Sequence, residues 1–129
     1  MPAPVRILVI EAHPLVRRAV VALVDGEPGF RVCGLAAAPG EGLAAIRRQR
    51  PDLVLTGLGF DAVDGLAAVQ AIGLRHPGLP VLVVSMHDPA RVADLALRAG
   101  ARAFVAKAGM GLTLVAAIRQ ALSGGALQA

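Results

Sequence analysis

Five short apolar runs alternating with five amphipathic stretches predict a three-layer α/β domain with a parallel sheet at its centre. Three observations carry this. The runs are nearly continuous in Val, Ile and Leu, the pattern of strands buried on both faces. The stretches between them hold apolar residues at helical spacing, as in Leu15, Val16, Ala19, Val20 and Leu23. Turn residues such as Asp25-Gly26-Glu27-Pro28-Gly29 and His76-Pro77-Gly78 separate the two kinds of segment. Strand–helix alternation of this size implies right-handed crossovers. Five strands then suit the flavodoxin-like order 2-1-3-4-5.

In chain order, Val5 to Ile10 is the first strand, and Pro14 opens the first helix at the position where a missing N–H costs nothing. Phe30 to Gly34 is the second strand. Pro39-Gly40 starts a helix that Pro51 ends, and Asp52 to Thr56 is the third strand. The loop from Gly57 to Asp64 leads into a helix expected from Gly65 to Arg75. Pro80 to Ser85 is the most apolar strand; Asp88-Pro89 begins the helix that Gly100 stops. Ala103 to Ala106 and a helix through Leu112, Val115, Ile118 and Leu122 complete the set. The domain is expected to span 5–124, with 125–129 a tail or the start of a linker to a helix-turn-helix domain lying outside these residues. Ligands of such sheets lie beyond the C-terminal strand ends, here around residues 11–14, 57–64, 85–88 and 107–111.

Composition excludes several classes. With 129 residues, 56% of them hydrophobic, the chain is one ordered domain. No apolar run is long enough to span a bilayer. The N-terminal run stops at Glu11, too short for a secretory signal, so a cytoplasmic location is expected. Cys33 stands alone, which rules out an internal disulfide and reads as a small apolar strand residue. The net charge of +4 rests on twelve Arg and one Lys, scattered except for Arg47-Arg48-Gln49-Arg50. That cluster reads as a solvated helix end, where cations favour the dipole, rather than a phosphate-binding patch. Three Phe are the only aromatics and offer little for base stacking.

At the strand ends the wording becomes specific. Ile7-Leu8-Val9-Ile10-Glu11-Ala12-His13-Pro14-Leu15-Val16-Arg17, Pro51-Asp52-Leu53-Val54-Leu55, Asp64-Gly65-Leu66, Leu79 to Asp88 and Arg98 to Lys107 together resemble response-regulator receiver domains over almost the whole chain. His13-Pro14-Leu15-Val16-Arg17 and Ser85-Met86-His87-Asp88 are similar to the LuxR/NarL-type subclass of two-component regulators, which normally carry a helix-turn-helix DNA-binding domain after the receiver.

The resemblance implies a phosphorylation site, and this sequence departs from it. Family receivers accept a phosphoryl group on an aspartate ending the third strand, with Mg²⁺ held by carboxylates from the first and third strands. Gly57 stands at the acceptor position, and the acidic pair after the first strand has become Glu11-Ala12. Gly59 would offer only a backbone carbonyl to a metal. Ser85 and Lys107 keep the hydroxyl and the ammonium that hold phosphoryl oxygens, and Phe104 occupies the aromatic switch position without a hydroxyl. Asp61 and Ala108 stand where relatives have proline. Glu11, Ala12, Gly57, Gly59, Ser85 and Lys107 therefore read as a vestigial site with no catalytic residue, and Mg²⁺ binding is expected to be absent or weak.

Each residue also has a plainer reading. Ser85 fits a strand-end serine bonded to backbone, and Gly57 reads as a lost side chain rather than a close backbone approach. His13 and His87 lack a third ligand for a metal. Lys107, the lone lysine, is expected to pair with Glu11 across the vacated pocket, partly exposed and so only modestly stabilising.

The expected function is an atypical receiver, not an enzyme, acting as a phosphorylation-independent protein-interaction module in transcriptional regulation. Its partner would be another protein or a second copy, with DNA reached only through a further domain and no membrane involved. Arg98, Arg102, Leu112 and Ile118 are the candidate interface. The alternatives are a receiver phosphorylated at Asp61, or a binder of a small ligand in the emptied pocket.

Overall fold

A computed structural model describes residues 3–59, 61–124 and 127–128. The element order is β1 (Val5–Ile10), α1 (Pro14–Asp25), β2 (Phe30–Ala36), α2 (Pro39–Gln49), β3 (Leu53–Gly57), α3 (Ala62–Arg75), β4 (Val81–Ser85), α4 (Pro89–Ala99), β5 (Ala103–Ala106), α5 (Met110–Leu122) and β6 (Leu127–Gln128). The five main strands are parallel in the order β2-β1-β3-β4-β5, the flavodoxin-like arrangement expected. Of the tail, residues 125, 126 and 129 lie outside the described ones. Leu127–Gln128 is not a free end but a sixth strand, paired parallel with β5.

The continuous apolar runs are explained by the two cores. Alternate residues of each strand face opposite layers. Leu8, Ile10, Val54, Val83 and Phe104 meet α2, α3 and α4 through Ile46, Val69, Ile72, Ala93 and Ala96. Ile7, Val9, Leu55, Leu82, Val84 and Val105 meet α1 and α5 through Val20, Val24, Leu114, Ala117 and Ile118. Cys33 on β2 is half-buried, and burial pushes its thiol above the ordinary value while the nearby Arg6 charge opposes this. Among the described residues no helix is long and apolar enough to cross a membrane.

Two expectations need correction. The third helix begins at Ala62 rather than Gly65, because the Asp61 carboxylate accepts the Val63 N–H at 2.9 Å and caps it. Ile118 cannot serve an interface: it is completely buried, on the stripe of α5 shared with Leu114, Ala117 and Ala121. Leu112, 92% exposed, does face outward. Ile118→Ala should therefore destabilise the chain by ~2–5 kcal/mol, while Leu112→Ala should stay within ~0.5 kcal/mol; urea unfolding of both variants makes the comparison.

Candidate functional site

Parallel register delivers the sequence-predicted residues to one end of the sheet. Gly57 is the last residue of β3, in register with Val84; Ser85 ends β4, in register with Ala106. Glu11 follows β1, its N–H donating to Ala36 O at 2.9 Å. Lys107 follows β5, its N–H donating to Ser85 O at 2.9 Å. The loop after β3 is pinned by Gly65, where a Cβ would lie 2.3 Å from Leu58 O.

The centre of the site is an ion pair. Lys107 Nζ lies 3.2 Å from Glu11 Oε1, and the side chains are only 15% and 4% exposed. The pair is thus expected residue for residue, but far more enclosed than its spacing in sequence suggests. The His13 N–H donates to Glu11 Oε2 at 3.1 Å, and the Arg17 guanidinium donates to Glu11 O at 3.0 Å.

The glycine at 57 explains the enclosure. A Cβ on Gly57 would sit 2.7 Å from Glu11 Oε1 and 3.1 Å from Glu11 Cδ. The Glu11 carboxylate fills the space into which a side chain at 57 would project. Gly57 is therefore a close approach by a side chain, not simply a lost one. Sequence reasoning missed this, although the pairing of a long acid at Glu11 with a glycine at 57 was the available signal.

The remaining groups are occupied locally. Ser85 is buried and its Oγ accepts the His87 N–H at 2.9 Å, the plain strand-end role. His87 Nε2 lies 2.9 Å from Gly59 O, so this nitrogen donates to that carbonyl. Thr56, which the sequence reading passed over, donates its hydroxyl to Gly57 O at 3.0 Å. Ala12 contributes a methyl group, and Phe104 is fully buried. Among the described residues no group of three His, Cys, Asp or Glu is placed to hold a metal. Glu11, Ala12 and Gly59 divide two clefts. One of about 320 Å³ is walled by Ala37, Pro39, Asp61 and Asp64; one of about 190 Å³ is walled by His13, Met86 and Lys107.

The response regulator receiver domain model matches residues 7–119. The chain belongs to that family. Among solved relatives, this receiver superposes on a LuxR-family two-component response regulator from Aurantimonas sp. SI85-9A1 with a TM-score of 0.89 at 30% identity, covering 97% of this chain and 89% of the other. It is 31% identical to the response regulator GacA of Pseudomonas viridiflava over 121 residues, 93% of this chain and 56% of GacA. It is 36% identical over 111 residues to protein-glutamate methylesterase/protein-glutamine glutaminase 5 of Anaeromyxobacter dehalogenans, 84% of this chain and 30% of that enzyme. The chain spans about half or less of the length of the curated relatives it matches.

The interface candidates separate. Arg98 is exposed and bound to Asp94 at 2.9 Å. Arg102 is tied down, donating to Ala121 O and Gly78 O at 3.1 Å each.

The crowding of Glu11 against position 57 has a measurable consequence. Gly57→Ala is expected to cost ~1–3 kcal/mol by overpacking, and much less in a Glu11→Ala background. A double-mutant cycle in urea tests the coupling; equal costs in both backgrounds would show that the two positions do not compete for space.

Proposed function

We propose that this receiver signals without aspartyl phosphorylation, as a protein-interaction module in transcriptional regulation. The observation that supports it is the position of Glu11: its carboxylate fills the space at Gly57 and is neutralised by Lys107. A buried carboxylate held by an ammonium and a backbone N–H is a poor nucleophile, and attack on phosphorus needs an exposed one.

The donor set does not fit Mg²⁺. A hard divalent ion needs several oxygen ligands in octahedral array. Here Glu11 is committed to Lys107, Ala12 offers no oxygen, Gly57 has no side chain, and the Gly59 carbonyl already accepts from His87. No step through a metal is derived. Asp61, the alternative acceptor, is occupied as the cap of α3. The 320 Å³ cleft is the observation that favours the small-ligand reading, being at the lower limit for such sites.

In the proposed role the module is not an enzyme, works in the cytoplasm, and binds a protein partner or a second copy through the face bearing Arg98 and Leu112. DNA contact belongs to other parts of a whole regulator.

Exposure to acetyl phosphate and Mg²⁺ should add no phosphoryl group by intact mass. Gly57→Asp alone should also stay unmodified, because the new carboxylate meets Glu11 and Ala12 still lacks one. Ala12→Asp with Gly57→Asp should gain Mg²⁺-dependent modification. A phosphoryl adduct on the unaltered chain, or on the Gly57→Asp variant, would overturn the account.

A further inference from the structure

The end of the sheet opposite the site carries a groove that the proposed function does not use. Between the end of α2 and the α3–β4 turn lies a cleft of about 540 Å³, with Ile46, Pro51 and Leu79 as its apolar lining and Arg47, Arg50 and His76 as its polar lining. A second cleft of about 400 Å³ shares His76 and Leu79 and continues past Leu74 to Arg102. No carboxylate lines either cleft. Leu74 is 77% exposed.

Arg47 and Arg50 on this rim are uncommitted, whereas several other arginines of the fold are used. Arg6, Arg17, Arg98, Arg102 and Arg119 each bind a carboxylate or a carbonyl. Among the described residues, the side chains of Arg47 and Arg50 take part in none of the hydrogen bonds or ion pairs. The carboxylate next along the chain, Asp52, accepts the Arg6 N–H at 2.8 Å instead. Arg50 is also the one non-glycine residue, among those described, with a positive φ (48°). That conformation is held from behind: the Arg50 N–H donates to Ile46 O at 2.9 Å, and the Arg6 guanidinium binds the carbonyls of Gln49 and Arg50. The rim is thus built on a fixed backbone.

We infer that this groove docks an acidic segment of a partner protein, with Asp or Glu side chains on Arg47 and Arg50 and an intervening Leu, Ile or Phe over Leu79. Charge complementarity selects the occupant. Guanidinium forks match carboxylates in bidentate geometry, and the apolar lining rewards a hydrophobic side chain that a sugar–phosphate backbone lacks. No aromatic side chain lines the groove to stack a base. A second copy would bring the same positive rim to this face. The inference is independent of whether the receiver is phosphorylated.

The test pans the immobilised chain against a random peptide library, with an Arg47→Glu, Arg50→Asn variant in parallel; Asn tolerates the left-handed backbone at position 50. Circular dichroism melting confirms that the variant is folded. Selected peptides should pair Asp or Glu with Leu, Ile or Phe, and fluorescence anisotropy should show binding at least about tenfold weaker to the variant. An Arg31→Glu control, altering an exposed arginine of β2, should bind as the parent does. Acidic peptides that bind the variant equally well, or a selection with no acidic preference, would overturn the inference. So would a DNA duplex that binds more tightly than the peptides, or self-association lost in the variant.

Discussion

A buried carboxylate and a half-buried ammonium must neutralise each other, and this constraint shapes the site end of the molecule. Lys107 leaves β5 into a site where it is 15% exposed, and β3, two strands away in the sheet, ends in glycine. Leaving such a charge unpaired costs ~3–5 kcal/mol. The acid after β1 meets the demand because Glu11 is one methylene longer than aspartate and reaches across the space at Gly57. The pair also ties loops together: Glu11 binds the His13 N–H, and its carbonyl holds Arg17 of α1. One charge interaction thus links the ends of β1, β3 and β5.

The architecture was legible because each strand is enclosed on both faces. Ile7 and Leu8 enter opposite cores, so neither position tolerates a polar residue and the runs read as unbroken. The site was legible in its membership but not its packing. A lone lysine at a family position pointed to Lys107, and the only acid near it was Glu11. Burial could not be read, since it depends on the missing side chain at 57 drawing the carboxylate inward. Ile118 was misread for a geometric reason. Six residues separate it from Leu112, about 240° around the helix after whole turns are removed, so the two cannot share a face. The cap at Asp61 was missed because its position was weighed only as a substitute acceptor, although an acid just before an apolar helical run is the ordinary signal for a helix start.

The excess of arginine takes on a spatial meaning once the strands are aligned. Arg47, Arg48, Arg75, Arg98 and Arg119 all lie in the last turns of their helices, where a cation complements the dipole. Because the strands are parallel, all these helix ends fall on one side of the domain. Glu11, Glu41, Asp61, Asp64 and Asp88 lie at the other, in loops or first helical turns. The molecule is electrically polarised by its topology, and its two ends present different chemistry to partners.

A two-state switch needs an event that favours its second state. Phe104 is fully buried among Val83, Val92 and their neighbours. Turning it outward would open a void of the kind that costs ~3–5 kcal/mol when Phe is truncated to Ala. In a receiver that takes up phosphate, new bonds at the serine and lysine could offset that cost. Here the Ser85 Oγ already accepts from the His87 N–H and Lys107 is paired with Glu11, so new bonds to phosphoryl oxygens would compete with contacts already made. A bias of a few kcal/mol holds a minor state to about a percent or less. In the role proposed above, the inward arrangement of Phe104 is the resting state, and a partner that binds the outward form better by a comparable free energy shifts it. Under the proposed function, the signal is the partner's presence and not a modification of the domain itself.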